Sequence, residues 1–179
     1  MKKEVKSRLR TPEIILKLNN YDDVFSDFDP RPYSQRSLSV DFLDEVQRAS
    51  ADKAERLELN FLLPKPKRDN YKESQIKKRL KNHFKRHFTI LDHEMKGTIK
   101  TGVIFNLVGI LLMFFATYVL FVYKDTSLVT TFLVVFLEPG GWFFFWEGLN
   151  LILFESKKMR PKLEFYKKMY KSRIDFFSD

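Results

Sequence analysis

The chain has 179 residues, a net charge of +9 and a sequence pI of about 9.6. That length allows one small folded domain plus a membrane part. There is no cysteine, which excludes disulfides, thiolate metal sites and cysteine nucleophiles.

Residues 1–12 are polar and expected to be flexible. Their basic start, MKKEVKSRLR, is not followed by an apolar core, so no signal peptide is expected and the first membrane helix would direct its own insertion. Residues 13–68 read as a small cytoplasmic α/β domain. Glu13–Leu18 (EIILKL) has the β-branched centre of a strand. Tyr21–Phe25 suits one helical turn, and Asp22, Asp23, Asp27 and Asp29 around it read as capped turns rather than a cation site. Asp29-Pro30-Arg31-Pro32 is a rigid loop, because each proline fixes φ. Ser39 is an N-cap for a helix carrying Phe42, Leu43, Val46 and Ala49 at helical spacing. Leu57–Leu63 (LELNFLL) predicts a second strand, with Leu57, Leu59, Phe61 and Leu63 inward and Glu58 and Asn60 outward.

From Asp69 or Asn70 a long basic amphipathic helix is expected over 69–101, with Ile76, Leu80, Phe84, Phe88 and Leu91 as its apolar stripe and a bend at Gly97. It runs into the most informative stretch, Gly102–Tyr123, an uncharged apolar run. At 1.5 Å per residue its length matches a hydrocarbon core of about 30 Å. After a short outer loop at 124–127, a second apolar stretch covers 128–154. Glu138-Pro139-Gly140-Gly141 interrupts it, which leaves two readings, one kinked helix or a short segment 128–137 near the outer interface followed by a span starting at Pro139; a helix broken at 138–141 is the preferred expectation. The tail, 155–179, reads as a basic amphipathic helix with Leu163, Tyr166, Met169, Tyr170 and Ile174 on one side. The fold class is therefore an α-helical membrane hairpin of two transmembrane helices plus a small α+β domain with about two strands, the long helix being continuous with the first span.

Charge sets the orientation. Eight Lys or Arg lie between Lys77 and Lys100, eight more between Lys157 and Arg173, and one in the loop between the spans. The positive-inside rule then places both termini in the cytoplasm at the inner, plasma membrane.

The segments ILKLNNYDDVFSDFDPRPYSQRSLS, LNFLLP, LKNHFKRHF and GGWFFFWEGLNLILFE, with the basic tail, resemble a family of small bacterial two-span membrane proteins over roughly Ile14 to Tyr170. The DPRP loop (Asp29 to Pro32) and Gly141-Trp142 with Trp146 carry the likeness. The chain departs from it at Glu147-Gly148, where many such proteins have a basic residue and proline. The resemblance implies the architecture and supplies no activity.

Within the spans, Asn106, Glu138, Glu147 and Asn150 are the candidate intramembrane polar positions, since an ionisable or amide group there is costly and faces protein or water. Glu138 and Glu147 lie nine residues apart, on opposite sides of a continuous helix; only a break would bring them together. Trp142 and Trp146 belong to an aromatic block expected at the outer interface. Lys85, Arg86, Lys96, Lys100, Lys157, Lys158 and Arg160 are expected to contact anionic lipid headgroups in preference to nucleic acid. His83 and His87, four apart, have metal-ligand spacing but lie among cations, which favours a structural role. No metal site, cofactor or catalytic constellation is read, so the chain is not expected to be an enzyme. The expected role is a membrane-anchored scaffold or interaction module. Its expected partners are the anionic bilayer, further copies of itself as a homo-oligomer, or another protein. The alternative is a small homo-oligomeric channel or transport component using Glu138, Glu147 and the broken second helix.

Overall fold

The computed structural model describes residues 13–51, 57–123 and 127–178. The expected flexible segment 1–12 and residues 124–126 of the expected outer loop lie outside them. The described residues form three strands, β1 (Glu13–Lys17), β2 (Glu58–Leu63) and β3 (Arg173–Ser178), and four helices, α1 (Val40–Ser50), α2 (Asn70–Val122), α3 (Leu128–Asn150) and α4 (Ser156–Lys171). The chain divides into two units. One comprises the residues up to Thr89 together with those from Lys162 onward, and the other spans Ile90–Pro161.

The first unit is built on a three-stranded, all-parallel sheet in the order β1-β2-β3. The third strand corrects the expectation of two strands and of a tail helix reaching residue 179. Helix α4 stops at Lys171, where the Ser172 backbone and hydroxyl both donate to the Met169 carbonyl (3.2 and 2.7 Å). Ile174, expected on the helical stripe, pairs in register with Leu59, and Phe176 with Phe61. The register aligns Ile14, Leu59 and Ile174 across one face, with Leu16, Phe61 and Phe176 beside them. Phe42 of α1 approaches Phe61 (ring centroids 6.0 Å), and Phe61 approaches Phe176 (5.0 Å). Ile76, Leu80 and Phe84 of α2 and Met169 of α4 are fully buried. Asn60, expected to face outward, is buried as well, because β2 is the central strand of a parallel sheet, the arrangement in which both faces tend to be covered.

Local signals explain the element ends. The Ser39 hydroxyl accepts from the Phe42 amide and starts α1. Asp69 accepts from the amides of Tyr71 and Lys72 (2.9 and 3.2 Å) and caps α2. Asp29 accepts from the Arg31 guanidinium (2.8 Å) and the Ser37 amide (2.7 Å), closing the DPRP loop; these donors hold its carboxyl well below the usual carboxylate range. Asp22 and Asp23 are likewise engaged, with Arg36 and with the Asn19 and Asn20 amides. Glu73 is buried, held by Nε and Nη2 of the Arg68 guanidinium (2.9 Å each) and by the Tyr21 hydroxyl (3.1 Å).

In the second unit, α2 and α3 form an antiparallel pair; each belongs to a helix long and apolar enough to cross a membrane. Only 17% and 11% of their most apolar windows are buried, so most of the apolar surface is bare. Helix α2 continues through Gly97. Helix α3 also continues through Pro139, Gly140 and Gly141, which corrects the expected break. Proline removes one helical hydrogen bond, whereas a broken helix would strand several backbone groups in an apolar setting. The irregularity falls later instead, as one wide turn with π-type hydrogen bonding at Leu151–Glu155, next to which the Ser156 hydroxyl donates to the Ile152 carbonyl.

The glycines serve the seam. A methyl built on Gly109 would lie 2.7 Å from the Gly141 carbonyl oxygen, and one on Gly148 would lie 2.6 Å from the Gly102 carbonyl oxygen. Gly102, Gly109 and Ala116 recur every seven residues, as do Val134, Gly141 and Gly148, and all six are buried. The seven-residue repeat keeps one face of each helix on the seam, and small residues there let the backbones approach.

Candidate functional site

Two groups of residues carry chemistry, one in each unit. In the first unit they sit on α2 and α4. His83 and His87, one turn apart, bring their rings to 4.3 Å, and His87 stacks on Tyr166 at 5.1 Å with an 18° tilt. Phe84 packs edge-on against Phe165 from the same pair of helices. Burial pushes His83 down to about 4, and His87, Arg79 and Arg86 add to the effect. His87 is lowered by burial and then by Arg86, Lys162 and Arg79. Every charge acting on the two rings is cationic. The His83 Nε2 is buried with no hydrogen-bond partner among the described residues, so the neutral ring is held by packing. Arg79 donates to the Arg36 carbonyl (2.9 Å), and its own pKa is lowered by burial. Lys85 lies 6.0 Å from the Tyr170 ring, and Arg86 is exposed. The cations around the two rings, Arg79, Arg86 and Lys162, together with Tyr166 make a basic, aromatic surface suited to an anion. Among the described residues no group of three His, Asp or Glu gathers to hold a metal.

The second unit holds the polar positions of the helix pair. Asn106 sits on the seam: its Nδ2 donates to the Gly102 carbonyl (3.1 Å), and its Oδ1 is buried without a partner among the described residues. Glu138 is exposed, and Glu147 and Asn150 are half-buried. Because α3 is continuous, Glu138 and Glu147 point to opposite sides and do not converge. Trp142 and Trp146 stack at 6.2 Å on an exposed face. The register set by the glycines places Trp142 level with Val108 and Trp146 level with Ile104, in the half of the pair remote from Ser127. The aromatic block therefore lies in the half of the pair away from Tyr123, not in the outer half expected for it. Lys96 pairs with Asp92 (2.6 Å) and Lys158 with Glu155 (2.6 Å). Lys100, Lys157 and Arg160 are exposed.

No family model, curated protein or solved structure matches the chain. The site residues accordingly stand on their own chemistry. Sequence spacing brings out His83 and His87 and puts Tyr166 on the apolar side of the tail, but not the gathering of Arg79, Lys162 and Tyr166 around the two rings. Arg79 lies one turn before His83 and was legible as the same helix face. Lys162 and Tyr166 come from α4, and nothing in the local pattern announces that tertiary contact.

Proposed function

We propose that the chain is a membrane-anchored, non-enzymatic interaction module that assembles with itself at an anionic membrane. The observation that carries this reading is topological. The bare apolar helix pair is inserted in the crossover between β2 and β3, so both of its ends lead into one parallel sheet. A folded unit tied at two points to an apolar hairpin is held at the membrane by its own fold. In this reading α2 and α3 cross the bilayer, and the positive-inside rule places the sheet and both termini in the cytoplasm. The basic face of Arg79, Arg86 and Lys162 supports an anionic contact, at about 1 kcal/mol per basic group near a charged surface. The transport alternative loses its main support, because Glu138 and Glu147 do not meet on a continuous helix.

The test is a copy count. The full chain, labelled once, is reconstituted at high dilution into vesicles with and without anionic lipid and followed by single-molecule photobleaching. More than one bleaching step per particle, at a fraction rising with anionic lipid, is expected. Single steps at every composition would overturn the self-assembling reading.

A further inference from the structure

We infer that the apolar helix pair carries a self-association site at mid-depth, formed by the Glu138 carboxyl and the Val135 carbonyl, whose occupant is the same face of a second copy. The inference rests on the membrane-embedded, self-assembling reading and names its contact.

Depth comes from the seam. With Gly109 against Gly141 and Gly102 against Gly148, Glu138 stands level with Leu112, the middle of the Gly102–Tyr123 run. Its side chain is exposed and makes no hydrogen bond or ion pair with a described residue. One residue on, Pro139 sits inside the helix without an N–H, so the Val135 carbonyl four residues earlier lacks its helical donor. Val135, Glu138 and Trp142 fall within about 60° of one another around α3, and all three are exposed. A carboxyl group and an open carbonyl are thus presented together where hydrocarbon satisfies neither.

The same geometry points to the occupant. Between Gly109 and Ala116 and between Val134 and Trp142, the only other polar side-chain group is the Trp142 indole. The helix pair therefore offers Glu138 no partner at its own level. Asn106, whose Oδ1 is buried without a partner among the described residues, is sealed in the seam against Gly148. Copies inserted in one membrane share one orientation, so a two-fold axis along the membrane normal brings each group opposite its own counterpart at equal depth. A second copy supplies, at the required level and without any other protein, the neutral carboxyl's O–H as donor and the carboxyl and Val135 carbonyl oxygens as acceptors.

The cysteine-free sequence makes the test direct. Single-cysteine chains Val135→Cys and Trp142→Cys, and on the far side of α3 Phe136→Cys and Phe143→Cys, are oxidised in vesicles at high lipid dilution. Disulfide-linked dimers are expected from the first two and not from the second two. In the same vesicles, Glu138→Leu is expected to weaken dimerisation about tenfold, while Glu138→Gln, which keeps hydrogen-bonding capacity, retains most of it. Cross-linking from the Phe136 and Phe143 side, or equally from all four, with dimerisation unchanged in Glu138→Leu, would overturn this site while leaving self-assembly standing. A wild-type chain that remains monomeric would overturn both. The cysteine pattern is read with Glu138 intact, so the outcome does not depend on the folding of the Glu138 variants.

Discussion

The seam between α2 and α3 makes a quantitative prediction from two glycines that differ only in surroundings. A methyl group on Gly109 would lie 2.7 Å from both the Gly141 oxygen and the Phe145 nitrogen, which are backbone atoms unable to swing aside. The helices must separate by about half an ångström, and a gap of that size already forfeits about a quarter of the dispersion attraction at each contact. Gly140 meets nothing within 4 Å. Alanine improves helix propensity by about 1 kcal/mol at either position, so this gain cancels in the comparison. What remains is overpacking, and Gly109→Ala should be less stable than Gly140→Ala by about 1–3 kcal/mol. Both tryptophans of the chain, Trp142 and Trp146, lie in α3, so their fluorescence reports this helix pair alone during unfolding by SDS from bicelles. Gly148→Ala, which would bring a methyl to 2.6 Å from the Gly102 oxygen, should behave like Gly109→Ala. Equal midpoints for Gly109→Ala and Gly140→Ala would refute the close-packed seam.

Three further outcomes follow from the first unit. The His83 ring, held near pKa 4 against an ordinary 6.5, binds fewer protons folded than unfolded between those values. Stability is therefore full above about pH 6.5 and falls as the pH drops to about 4. The loss is about 1–2 kcal/mol once the undamped value is reduced for a half-buried ring. Hydrogen exchange of the β2 amides, corrected for intrinsic rates, should show this slope, and His83→Gln should flatten it. Arg68→Met strands the buried Glu73 carboxylate and should cost about 3 kcal/mol, the low end for a broken buried pair because Arg68 is partly exposed. The double variant Arg68→Met with Glu73→Leu should recover most of that loss, measured the same way. Phe176→Ala removes a ring packed on Phe61 and Tyr21 and should lower the β2 exchange free energy by about 3–5 kcal/mol, whereas Phe177→Ala on the exposed side should change little.

Much of this fold is legible residue by residue. Ser39, Asp69, the LNFLL alternation and the Ile76, Leu80 and Phe84 spacing each specify an element through local chemistry, and the structure contains those elements. The third strand is not legible, because Leu163, Tyr166, Met169, Tyr170 and Ile174 keep helical spacing without a proline or glycine before Arg173. Only pairing with β2, distant in sequence, turns Ile174 and Phe176 into strand residues. The EPGG segment misleads for a related reason. Proline and glycine read as a break in water, yet in an apolar helix pair Gly141 is a contact surface and Pro139 costs one hydrogen bond. The intramembrane candidates were legible as costly residue types, but their depth and sidedness depend on the glycine register. The basic face around His83 and His87 needed α4 to bring Lys162 and Tyr166.

The most direct test of the account is the sidedness of three engineered cysteines in the otherwise cysteine-free chain: Ser37→Cys in the loop before α1, Ser127→Cys between the apolar helices, and Ser178→Cys at the end of β3. Spheroplasts are treated with a membrane-impermeant thiol reagent before and after permeabilisation. The account predicts labelling of Ser127→Cys from outside, with Ser37→Cys and Ser178→Cys labelled only after permeabilisation. Labelling of Ser37→Cys or Ser178→Cys from outside, or protection of Ser127→Cys, would contradict a bilayer-crossing hairpin inserted into a cytoplasmic sheet.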